Sequence, residues 1–136
     1  MVERIIGTVR RVVGPVVEAG NVSGVEMLEL VYVGEERLVG EIVRIRGDAA
    51  WIQVYEDTTG LRPGAPVIGQ GEPLSVELGP GLLGSIYDGV QRPLDVLRAQ
   101  MGDFVSKGVH APALSREKCW GFTPSLKPPC SVSGGT

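Results

Sequence analysis

"RLVGEIVRIRGDAAWIQVYE" (residues 37–56) is the stretch on which the fold is read. Residues 37–46 are rich in Val and Ile in rough alternation, the period-two rhythm of a half-buried strand. Gly47-Asp48 then makes a tight-turn pair, in the order Gly-Asp rather than the stronger Asp-Gly. "AAWIQVYE" (49–56) returns as a further strand.

The same pattern repeats outward. "VEMLELVYV" (25–33) precedes through a "GEE" turn, with Val25 and Met27 read as facing one way and Glu26 and Glu29 the other only in part. "RIIGTVRRVV" (4–13) stops at Gly14-Pro15, "VVEAGNV" (16–22) resumes, and "APVIG" (65–69) closes the set. Short strands with turn signals every 8–12 residues or so read as a small antiparallel barrel or sandwich. Closure also removes the sheet edges that a Val- and Ile-rich chain would expose.

Composition agrees. The 136 residues include 20 Gly and 10 Pro, which favours turn-rich β-structure over a helical bundle. Aromatics are 5%, so Val, Leu and Ile must build the core. The net charge is −3 with signs mixed along every segment, which argues against a nucleic-acid partner needing a basic stripe. No apolar run approaches the ~20 residues of a membrane span, and no signal peptide opens the chain. The expectation is a soluble, intracellular protein without direct membrane insertion.

Past Gly71 the pattern changes. "EPLSVELGPGLLGS" reads as extended and irregular, and "RPLDVLRAQMG" (92–102) is the one convincing helix. Pro93 suits a first helical position, Leu94, Leu97 and Met101 share a stripe, and Gly102 stops it. From Phe104 on, short strands and loops are expected, broken by Pro112, Pro124, Pro128 and Pro129. "SVSGGT" brings no closing element, so the last part reads as cut rather than finished. The expected organisation is a barrel over 1–70, a connector over 71–103 with a helix at 93–101, and an incomplete β-rich segment over 104–136.

Chemistry-bearing patterns are few. Gly79, Gly81 and Gly84 match G-x-G-x-x-G, and the Gly79–Gly84 spacing matches the first two glycines of a P-loop. Residues 79–94 hold no lysine, however, and Ser85-Ile86 stand where Gly-Lys-Ser/Thr would need its cation and hydroxyl. No helix begins at Gly84 as the dinucleotide motif requires. A structural turn is the favoured reading. Glu35-Glu36 and Glu56-Asp57 lie in predicted loops and read as solvated charge. His110, the one histidine, forms no metal-ligand spacing with Cys119 and Cys130. Arg10, Arg11, Arg44 and Arg46, with Trp51 and Tyr55, could line an oligonucleotide-binding face, but interspersed acids favour pairing with Glu or with another subunit. Ser115-Arg116-Glu117-Lys118 reads as a solvated run. No catalytic, cofactor-binding or metal residue is assigned.

Taken together, "GTVRRVVGPVVEA", "LVGEIVRIRGDAAWIQVYEDTTGL", "GEPLSVELGPGLLGSIYDGVQRPL" and "REKCWGFTP" resemble the N-terminal region of the catalytic A subunit of archaeal-type and vacuolar-type rotary ATPases. The resemblance runs from about residue 4 to residue 124. It implies a six-stranded closed antiparallel barrel, then a connector, then the start of a bulge domain. It also implies neighbouring A and B subunits in a hetero-hexameric ring, and a cytoplasmic place peripheral to the membrane. ATP and Mg are expected in the full-length relative alone, whose P-loop has no counterpart here. The family pattern continues past "FTP" with Lys, Gly-Asp, Val and Gly-Gly, whereas here Pro128-Pro129-Cys130 follow Lys127, with Val132 and Gly134-Gly135 matching loosely. The alternative is a stand-alone barrel binding nucleic acid or a protein partner.

Overall fold

Alternation in the apolar runs becomes six antiparallel strands in the computed structural model, which describes residues 4–102 and 106–134. They are β1 (Arg4–Val13), β2 (Val16–Gly20), β3 (Glu29–Val33), β4 (Leu38–Arg46), β5 (Ala49–Val54) and β6 (Pro66–Pro73). The sheet closes as β1-β2-β5-β4-β3-β6. Barrel, not sandwich, is therefore the outcome. Register shifts between Val9 and Arg11, Ile42 and Arg44, and Glu29 and Val31 add the local bends that let so few strands close.

The interior is filled by alternate residues of every strand. Val17, Val31, Val33, Ile42, Ile52 and Val67 are completely buried, and no aromatic ring joins them. At about 0.8 kcal/mol per buried methylene, such aliphatic packing is the main force for closure. The β4–β5 turn places Gly47 at φ 60°. A positive φ at the first turn residue is what glycine supplies there, so the order Gly-Asp suits this hairpin.

Boundaries differ from the sequence reading where the backbone turns left-handed. Leu28 has φ 66°, so the run expected over 25–33 is extended only from Glu29. Asn21 (φ 55°) ends β2 before Val22, and Arg37 (φ 58°) keeps β4 from starting before Leu38. β5 ends at Val54, because Tyr55 and Glu56 turn toward the connector, and β6 runs on to Pro73.

Glu29, read as an outward acid, is 3% exposed, because it shares the inward face of β3 with Val31 and Val33. Its carboxylate accepts from the backbone N–H of Gly71 at 2.9 Å and of Glu26 at 3.1 Å, and lies 3.8 Å from the Arg4 guanidinium. It pins the end of β6 to the start of β3.

Beyond β6 the chain makes a 3₁₀ turn at Pro80–Leu82 and then α1 (Leu94–Met101). Pro93, expected inside the helix, is its N-cap, with ψ 121° excluding it from the helical region. Of the expected stripe, Leu97 is buried, Met101 is half-buried and Leu94 is 38% exposed, so one residue anchors the helix. The expected β-rich character past Phe104 is missing among the described residues 106–134, which contain turns and bends but no strand. The boundary placed at 103/104, Phe104 itself and Gly135 lie outside the described residues. Trp120 (46%) and Phe122 (86%) stand exposed, while Val109 and Leu114 are half-buried.

Candidate functional site

The densest polar arrangement joins barrel and connector. Glu56 follows β5 by two residues, and its side chain is 7% exposed. Arg92 comes just before α1, with a side chain 12% exposed. A guanidinium Nη of Arg92 donates to Glu56 Oε1 at 2.8 Å, and its Nε donates to Asp88 Oδ2 at 2.6 Å. The same Nη reaches the carbonyl of Val109 at 3.1 Å. Glu56 Oε1 accepts from Gly108 N at 3.1 Å, and Oε2 accepts from Val39 N in β4 at 3.0 Å. One carboxylate thus holds barrel, connector and the later segment together.

Local chain geometry presents these groups. Asp88 Oδ1 accepts from the backbone N–H groups of Val90 (3.0 Å) and Arg92 (2.9 Å), folding 88–92 into a side-chain-closed turn. Burial alone would push the Asp88 carboxyl up, but the backbone and side-chain bonds from Arg92 outweigh it and hold the group below the usual carboxylate range. Burial likewise opposes the charge on Arg92, and Asp88 and Glu56 overcome it, leaving the guanidinium still harder to deprotonate. A fixed planar fork suits this three-way contact better than a lysine would. The sequence reading of Glu56-Asp57 as a solvated pair is therefore corrected for Glu56. Asp57 is 64% exposed, bonded to Thr59 and 3.0 Å from Lys107 Nζ. Glu35 and Glu36 are exposed, as expected.

The later segment lies along the barrel from Lys107 to His110. Lys107 Nζ donates to the Thr59 carbonyl at 2.7 Å. A Cβ on Gly108 (φ 64°) would stand 1.6 Å from the Glu36 carbonyl oxygen, so only glycine permits this approach. His110 meets Tyr32 of β3 edge-to-face at 4.8 Å, and the Arg37 guanidinium lies 4.7 Å over the Tyr32 ring.

The glycine segment adopts no phosphate cradle. Gly79 is extended at φ 179°, the 3₁₀ turn follows, and α1 begins ten residues after Gly84. Gly79 and Gly81 instead let Leu114 approach, since a Cβ at either would be 3.1 Å from its methyls. Gln91 exchanges two hydrogen bonds of 2.7 Å with the backbone of Glu77, tying the two ends of the segment together. A cleft of about 480 Å³ lies beside it, with Tyr87, Leu114 and Trp120 in its wall. Its basic groups are engaged: Arg116 pairs with Glu77, and Lys118 sits 4.4 Å over the Trp120 ring. Ser115 to Lys118 are all exposed, as the reading of a solvated run expects.

The barrel arginines are exposed and mixed with acid. Register sets Arg11, Glu18, Trp51 and Arg44 in one row across β1-β2-β5-β4, with Arg44 5.3 Å over Trp51. Arg10 pairs with Asp48 at 2.7 Å. Tyr55 is 46% exposed beside Leu97 and Arg92, near the connector. Cys119 and Cys130 are exposed free thiols, and among the described residues no three His, Cys, Asp or Glu side chains converge to hold a metal. Among them, too, no helix is long and apolar enough to cross a membrane.

The profile of the ATP synthase alpha/beta family β-barrel domain matches residues 9–71, the closed barrel described above. The barrel belongs to the ATP synthase alpha/beta family. Within that family the chain's similarity is to the A-type branch. The chain is 58% identical over 130 residues to the A subunit of the A-type ATP synthase of Thermococcus sibiricus, covering 96% of this chain and 22% of that protein. To the corresponding protein of Pyrococcus abyssi it is 59% identical over 129 residues, covering 95% and 13%. To the V-type ATP synthase alpha chain of Anaeromyxobacter sp. strain K it is 57% identical over 129 residues, covering 95% and 22%. The chain thus spans less than a quarter of the length of these relatives. The match extends well past the barrel, through Asp88, Arg92 and the connector of this A-type N-terminal region.

Proposed function

We propose that this chain is the N-terminal part of the catalytic A subunit of an ion-translocating A/V-type ATP synthase or ATPase. In this reading it comprises a barrel over 1–70, a connector over 71–103 and the beginning of a bulge domain over 104–136. The barrel stands beside barrels of other A and B subunits in a hetero-hexameric ring, where it stabilises the assembly. Nucleotide and Mg chemistry belong to domains outside these residues, and the complex holds the barrel on the cytoplasmic side, peripheral to the membrane. The supporting observation is identity near 58% over 96% of the chain, continuing through the connector and not confined to the barrel. A closed barrel with a mixed-charge outer face suits contact with other proteins better than contact with a phosphate backbone.

Co-expression with a B subunit tests this reading. The chain is expected to co-elute with the B subunit in size-exclusion chromatography. Elution of the chain as a free monomer at every concentration tried would overturn its role in the ring.

A further inference from the structure

We propose that Glu56 is the pin of a clasp that fixes both the connector turn 88–92 and the strap 107–110 to the barrel, so that turn and strap open and close as one unit. The observations that carry this are geometric. A single carboxylate, 7% exposed, accepts bonds from three separate parts of the chain: Val39 in β4, Arg92 in the connector and Gly108 in the strap. Arg92 closes the loop by donating to Val109, so connector and strap also hold each other. Lys107 on Asp57 and Thr59, Gly108 against Glu36, and His110 against Tyr32 align the strap along the barrel wall.

A buried carboxylate deprived of one donor is costly, because part of its charge is left unpaired and shielded from water. Opening the strap alone removes the Gly108 donor from Glu56 and the Val109 acceptor from Arg92. Opening the connector alone strips Glu56 of its only cation among the described residues. Each piece therefore favours the closed state of the other. The barrel thus carries one cooperative unit outside its own strands, made of the turn 88–92 and the strap up to His110. This holds whether or not the chain assembles with B subunits.

Hydrogen exchange on the chain tests the clasp. Gly108, Val90 and Arg92 amides, each hydrogen-bonded within the clasp, are expected to share one opening free energy and one denaturant dependence. Glu56→Gln is expected to raise exchange about tenfold or more in both segments together, with Val17 and Ile52 unchanged. Arg92→Lys, which keeps the charge and loses the fork, is expected to do the same. Strap and connector amides that open with different free energies in the unsubstituted chain would overturn the proposal. So would a variant that releases one segment and leaves the other protected.

Discussion

A Cβ on Gly69 would stand 2.5 Å from Oε1 of Glu29 and 2.7 Å from Cγ2 of Ile6. The glycine in β6 therefore makes room for a buried carboxylate that two backbone N–H groups, those of Gly71 and Glu26, require. Gly69→Ala is expected to destabilise the barrel by about 1–3 kcal/mol, the usual cost of overpacking a filled site. Urea denaturation followed by circular dichroism would show it, and an unchanged midpoint would contradict the close approach.

Asp57 titrates near 2, lowered first by the Thr59 hydroxyl, then by the Thr59 N–H and by Lys107. A carboxyl depressed in the folded state contributes stability above its unfolded value of 3.8 and loses it as pH falls through about 2. Thr59→Ala is expected to raise the Asp57 midpoint toward 3.8, read from its carboxyl carbon shift by NMR.

His110 behaves in the opposite sense to a salt-bridged histidine. Partial burial against Tyr32, followed by the nearby Arg37 charge, lowers its basicity below the ordinary 6.5. Its contribution to strap docking is present above pH 6.5 and declines as pH falls through the lowered midpoint, because the undocked imidazole takes up its proton first. As the sole histidine, it gives one unambiguous NMR titration. The expected midpoint is below 6.5 and moves upward in Tyr32→Ala, which removes the ring that covers it.

Magnesium-ATP is expected to give no saturable heat with this chain in titration calorimetry. The segment with spaced glycines lacks a lysine, runs extended at Gly79 and leads into no helix until Leu94. A phosphate cradle needs converging N–H groups and a cation, and this backbone spends its glycines on contact with Leu114. Saturable binding abolished by Gly81→Val would reverse that assignment.

Barrel strands were legible because burial on one face of each strand writes a period-two signal into the residues. Glu29 was missed because its charge was read as outward, although its spacing to Val31 and Val33 sets it on the inward face. Glu56 was missed for a different reason. Its partner Arg92 lies 36 residues away, and an acidic pair after a strand looks the same whether solvated or buried. The hydrophilic triplet that sets the junction is a product of tertiary proximity. Pro93 gave half its message: it marked the start of α1, but its ψ placed it one residue outside.

The closed strand order has a mechanical consequence. Going round the barrel, β6 and β5 lie three places apart, on opposite sides. The connector leaves from the end of β6 at Pro73, opposite Glu29, and is tied down again at Arg92 beside the end of β5. A pull on α1 therefore cannot simply peel β6 away one hydrogen bond at a time, the direction in which a sheet resists least. Tension is split between two diametrically placed strands, and the barrel takes it as a whole.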